Sequence, residues 1–168
     1  MPPRANARRS FEGARSLVAA ATQCEHSYEG GRTVDAEGNK QIVAGFIEEV
    51  LNRRRIDAAG DYVADDVVEQ VPFPGQGPGL AGLKDVLRGL FAAFPDMNWI
   101  IEEQIAEFDK VLTRFVWTGT HSMEFLGVAA TGRSVSVWGM VLDRIENGRI
   151  KDTRILMDLF GLMRQLGA

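Results

Sequence analysis

GTHSMEFLGVAATGR, residues Gly119–Arg133, lies between two strand-like runs. VLTRFVW (Val111–Trp117) leads into it, and SVSVWGMVLDRI (Ser134–Ile145) leaves it. Alternation of apolar and polar side chains along such runs predicts half-buried strands. Glu146-Asn147-Gly148-Arg149 then supplies a tight turn, because Asn-Gly accepts the positive φ angles of a type I′ hairpin. A third strand follows. Two glycines, His121 and the apolar Phe125-Leu126-Gly127 are thereby placed at the mouth of a sheet. A curved sheet holds a small-molecule site in that place.

Working outward, the strand-like region runs from Met97 to Met157, with Asp109-Lys110 separating its first two runs. Upstream the period changes. Ile42, Val43, Phe46, Ile47, Val50 and Leu51 recur at helical spacing, with Asn39 placed to cap the helix. Asp57 is placed to cap a short second helix through Val63, which Asp65-Asp66 breaks. Val67–Val71 reads as a short strand entering Pro72-Phe73-Pro74-Gly75-Gln76-Gly77-Pro78-Gly79, whose prolines exclude helix and central strand and predict a shaped loop. Leu83, Val86, Leu87, Leu90, Phe91 and Phe94 form the stripe of a third helix ended by Pro95, and Leu159–Leu166 predicts a terminal helix. Helices first and a meandering sheet afterwards predict an α+β fold: three N-terminal helices on a strongly curved, mostly antiparallel sheet, a cone with an internal pocket.

The 168 residues suffice for one domain with a core. Hydrophobic residues make up 45% and charged residues 25%, ordinary for a soluble globular protein. A formal net charge of -4 with no basic stripe argues against nucleic acid as a partner. No apolar run approaches the roughly 18 residues needed to span a bilayer. One cysteine, Cys24, excludes an internal disulfide and a cysteine metal cluster, and His26 and His121 leave little for zinc. A reducing cytoplasm is the expected location. Residues 1–38 read as an N-terminal extension or linker and residues 39–168 as the domain. Arg8-Arg9-Ser10-Phe11 loosely resembles a twin-arginine export signal, but the apolar stretch after it is short and preceded by Glu12. An extra amphipathic arm or a misread upstream start is the expected reading.

Over roughly Asn39–Ala168 the chain resembles SnoaL-like polyketide cyclases, also known as ester cyclases, within the nuclear transport factor type of α+β cone folds. The markers are Phe94-Pro95-Asp96, Gly119-Thr120-His121, Phe125-Leu126-Gly127, Thr131-Gly132-Arg133, the Asn-Gly hairpin and Gln165-Leu166-Gly167. The resemblance implies closure of a polyketide ring by intramolecular aldol condensation, without metal or organic cofactor. It implies a carboxylate near the end of the last strand as general acid/base, here Asp158, assisted by His121. The chain departs from that pattern at Gln70, where relatives often carry histidine, and at Ile155, where many carry a carboxylate. It is also similar to limonene epoxide hydrolases across Val71–Pro74 and Val111–Arg114, but Val116 and Ile155 occupy the positions of their aspartates. Ketosteroid isomerases of the same fold use an aspartate near Gln70, and a glutamine cannot be that base.

The candidate residues each have a plainer reading. Asp158 precedes the terminal helix and either caps it or performs acid/base work. His121 is structural or catalytic. Gln70 orients a substrate carbonyl or satisfies the proline loop. Arg114 supports an acidic or carbonyl ligand or forms an ion pair with Glu102, Glu103 or Asp158. Trp138 and Met140 share a strand face and, with Phe73, are the expected pocket residues, although aromatic and methionine residues in strands are more often plain core. Asp143 and Arg144, beside the hairpin, are read as solvated. The expected ligand is a small apolar carbonyl compound. Homodimerisation is implied by the resemblance, with Phe115 and Trp117 as the apolar face. A non-catalytic ligand-binding or dimerisation module of the same fold, or a lyase, isomerase or limonene epoxide hydrolase-like relative with an altered catalytic set, stands as the alternative.

Overall fold

A computed structural model describes residues 35–168. The arginine-rich segment, Cys24 and His26 lie outside the described residues. Helix α1 (Ala36–Gly45) continues without a break into a π-helical segment, Phe46–Asn52. Its capping differs from the expectation, because Asn39 lies inside the helix and donates instead to the carbonyl of Phe108 at 3.1 Å. A 3₁₀ turn (Ile56–Ala58) and the short α2 (Ala59–Tyr62) lead into β1 (Val63–Glu69), which starts earlier than the sequence suggested. After the proline loop come α3 (Gly79–Ala93), β2 (Asn98–Glu107), β3 (Lys110–Thr120), β4 (Ser134–Glu146), β5 (Arg149–Met157) and α4 (Leu159–Leu166).

The five strands form one sheet in the order β1-β5-β4-β3-β2. β1 runs parallel to β5, and every other neighbouring pair is antiparallel. Register shifts interrupt β1/β5, β2/β3 and β4/β5. Bulges of this kind bend and twist a sheet, which leaves a concave face for the helices to cover. The fold is thus α+β, as the order of elements predicts.

The parity of β3 decides what faces inward. Val111, Thr113, Phe115 and Trp117 are buried on the concave face. Phe115 and Trp117 therefore belong to the core rather than to an exposed apolar surface. On β4 the inward positions are Val135, Val137, Gly139, Val141 and Asp143. A Cβ at Gly139 would meet the Phe115 ring at 2.6 Å, so the missing side chain makes room for that ring. Trp138 and Met140 consequently point away from the helices, and Trp138 is 53% exposed.

The sequence markers at the far end of the sheet are structural joints. Asp96 accepts hydrogen bonds from the amide of Thr120 at 2.6 Å and from its hydroxyl at 2.7 Å, tying the turn after α3 to the end of β3. Those bonds hold its carboxyl below the ordinary range. The side chain of Gln165 bonds both the amide and the carbonyl of Ser136, clamping α4 on β4. Gly167 ends α4 with a left-handed φ of 87°, the conformation glycine adopts without a Cβ penalty.

Candidate active site

Between α1 with its π-helical extension, α3 and the concave face lies a chamber of about 100 Å³. Helix side chains such as Val43, Phe46, Ile47, Leu83, Val86, Leu87 and Leu90 form one wall. Val141, Ile155 and Met157 form the other, with Trp99 at the β2 side and Phe73 and Gln76 from the proline loop. Asn52, at the end of the π-helical segment, accepts from the Trp99 amide at 2.8 Å and donates to its carbonyl at 3.1 Å. These two hydrogen bonds fix the strand carrying Trp99. The indole N–H of Trp99 is buried without a hydrogen-bond partner. A second cavity of about 310 Å³ adjoins the first, walled by Pro72, Gln76, Gly77, Pro78 and Gly79. Both cavities are bordered by Val67, Glu69, Gln76, Leu83 and Thr153.

Two carboxylates enter the otherwise apolar chamber, Asp143 and Glu69. Asp143 is 3% exposed. Burial pushes its carboxyl up to about 7; the Thr153 hydroxyl pulls the other way, and Glu69 and Asp152 add to the rise through like charge. Glu69 is also raised by burial, against the backbone N–H groups of Val71, Ile155 and Gln70. Its Oε1 accepts from the Val71 amide at 3.1 Å. Strand register joins the two acids. Glu69 pairs with Thr153 across β1/β5, and Thr153 pairs with Asp143 across β5/β4. Paired residues on adjacent strands project from the same face. Glu69, Thr153 and Asp143 therefore form one row across three strands, facing the helices. An acid with a near-neutral ionisation beside a second carboxylate suits proton transfer at neutral pH.

The residues singled out in the sequence are dispersed. Phe73 lines the chamber. Asp158 is the N-cap of α4, its Oδ1 accepting from the Gly161 amide at 2.8 Å, and it does not border the chamber. His121 is fully buried, but among aromatic rings: it lies 5.3 Å from Phe94, which packs edge-on against Trp117 and Phe125. Its Nδ1 accepts from the Thr131 amide at 3.3 Å, so the ring ties the end of β3 to the segment before β4. Gln70 is exposed and bonds Asp152 and Arg154. Arg114 sits on the outer face in ion pairs with Glu102 and Glu103. Trp138 and Met140 share that outer face, so the expected pocket pair lies on the opposite side of the sheet from the cavity.

Asp143 is also a correction, since a solvated position was expected. The signal was present: Asp143 continues the parity of Val135, Val137 and Val141, which placed an acid on an apolar strand face. Its position beside Arg144 and the Asn-Gly turn hid this. Glu69, the last residue of β1, lies one residue before the expected Gln70 and borders the chamber, which Gln70 does not.

The sequence profile of the SnoaL-like polyketide cyclases matches residues 41–166. The chain belongs to this family. The SnoaL-like chain is 31% identical over 130 residues to aklanonic acid methyl ester cyclase DnrD of Streptomyces peucetius, a match covering 70% of this chain and 88% of DnrD. Among solved structures, TsrD from Streptomyces laurentii superimposes with a TM-score of 0.74 at 26% identity, covering 81% of this chain and 99% of TsrD. IdmH from Streptomyces antibioticus gives a TM-score of 0.67 at 30% identity, covering 77% and 99%. Family membership makes this SnoaL-like chain a cyclase-type enzyme. Among the described residues, no helix is long and apolar enough to cross a membrane.

Proposed function

We propose that this SnoaL-like protein closes a ring, by intramolecular carbon–carbon bond formation, on a neutral apolar carbonyl substrate held between the helices and the sheet. One observation carries the reading: the apolar chamber contains a deeply buried acid, Asp143, on its sheet wall. No lysine, arginine or histidine borders the chamber among the described residues, so an anionic substrate would meet only like charge there. A carbonyl compound whose carboxyl group is masked as an ester fits that electrostatic requirement. The curated relatives are named for such an ester.

Asp143 serves as a proton-transfer group of the chamber, in place of the carboxylate that Ile155 lacks. Asp158 and His121 hold the architecture, the first as a helix cap and the second as a joint between β3 and the segment before β4. The protein works as a homodimer through the outer sheet face.

Aklanonic acid methyl ester is the probe for the first test. Incubation with the purified protein should give a ring-closed isomer of unchanged mass, resolved by chromatography. Asp143→Asn should lose about 100-fold or more of that rate. Asp158→Asn should keep it, because asparagine also caps helices well. Full turnover by Asp143→Asn would reject the assignment of the acid. Recovery of the bound ester unchanged would favour the ligand-binding reading, which Ile155 motivates.

A further inference from the structure

We infer that Glu69, Thr153 and Asp143 form one proton relay, with Glu69 the base, Asp143 the acid and the Thr153 hydroxyl the bridge between them. The inference rests on the cavity being the reaction site and adds a second catalytic group and a way to reset the first.

The geometry comes from strand register. Thr153 is the shared partner of Glu69 on β1 and Asp143 on β5's other neighbour, β4. All three side chains border the chamber, and Glu69 and Thr153 also border the outer cavity walled by the proline loop. The Thr153 hydroxyl bonds the Asp143 carboxyl; Glu69, its cross-strand neighbour about 5 Å away at Cβ, is the group proposed to share that hydroxyl. A hydroxyl donates one hydrogen bond and accepts others, which lets it pass a proton between two carboxyl groups. The charged groups bearing on Asp143 are Glu69 on β1 and Asp152 on β5, both acidic. The cavity-facing residues of α1, its π-helical extension and α3 are apolar, and the β3 partner of Asp143 is Val111.

Ring closure needs two proton movements. The carboxylate form of Glu69, at the junction of the two cavities, takes a proton from the carbon beside one carbonyl. The resulting enolate carbon forms a bond to the second carbonyl carbon, whose π electrons move to oxygen. Asp143 gives its proton to that oxygen. The product is then an isomer of the substrate, Glu69 is protonated and Asp143 is ionised. Transfer from Glu69 to Thr153, with release of the hydroxyl proton to Asp143, restores the starting state. Asp143 is 3% exposed and borders one cavity, whereas Glu69 and Thr153 border both.

The test needs no substrate. The full chain, labelled with ¹³C at the Asp and Glu carboxyl carbons, is titrated by NMR as wild type, Glu69→Gln, Thr153→Val and Thr153→Ser. Removing the Glu69 charge should lower the Asp143 midpoint by about one pH unit, the coupling at which two acids titrate as a pair. Thr153→Val, isosteric but without the hydroxyl, should raise that midpoint, and Thr153→Ser should restore it. An Asp143 midpoint unchanged in both Glu69→Gln and Thr153→Val overturns the relay. A coupled titration together with an unreacted aklanonic acid methyl ester would instead reject the cyclase reading and leave the relay standing.

Discussion

Asp143 sits where an ordinary aspartate would be unstable as an anion, and the consequence reaches beyond catalysis. Its carboxyl titrates at about 7 in the folded protein, for burial above all, whereas an unfolded chain titrates near the ordinary aspartate value. Between roughly pH 4 and pH 7 the native state binds more protons at this residue than the unfolded state. Stability must therefore fall as pH rises through that window and stay penalised above it. Asp143→Asn lacks the titration. Relative to wild type, the variant should gain stability from pH 4.5 to pH 8, by up to roughly 3 kcal/mol. Urea unfolding at the two pH values measures the difference. Little of this was legible in the sequence. An acid next to an arginine and an Asn-Gly turn has the composition of a solvated hairpin, and only the two-residue period through Val137 and Val141 betrayed its burial. Asp158 is the reverse case: its capping position was readable because the helix that starts after it has strong local signals, while its distance from the chamber depends on tertiary packing.

At the scale of elements, helical and strand periods located most of the fold. The terminal helix spans Leu159–Leu166, as its apolar spacing predicts, and the hairpin turns at Asn147-Gly148, both with positive φ. What a period cannot supply is which face of a strand meets the helices. Large side chains at Trp138 and Met140 suggested the pocket side, yet the inner face of β4 is built of valines and Gly139 because Phe115 from β3 occupies the space. The proline loop has a comparable steric origin. A Cβ on Gly82, in the first turn of α3, would fall 1.8 Å from the carbonyl oxygen of Gly77. Gly82→Ala should displace this loop, cost on the order of 1–3 kcal/mol and increase cleavage at the loop in limited proteolysis. Unchanged thermal stability and an unchanged cleavage pattern would show that the loop is not held by this approach.

Among the described residues, the helices cover the inner face of the sheet, and the outer face carries exposed apolar side chains. Ile100, Trp138, Met140, Leu142 and Leu156 are exposed on that outer face, with Leu156 at 70%. Ile100, Val116 and Trp138 lie in one register row, and Met140 pairs with Leu156, so the apolar residues are contiguous. Such patches mark interaction surfaces. Sedimentation velocity at micromolar concentration should show a dimer, and Leu156→Glu should yield monomer without loss of the fold. Wild type sedimenting only as monomer would remove the proposed assembly. The two sheet faces also place the three tryptophans in different settings: Trp99 beside the chamber, Trp117 in the core and Trp138 outside. Intrinsic fluorescence thereby acquires addressable reporters: with the other indoles replaced, the emission of one can follow occupancy, of another collapse, and of the third self-association, without an attached dye.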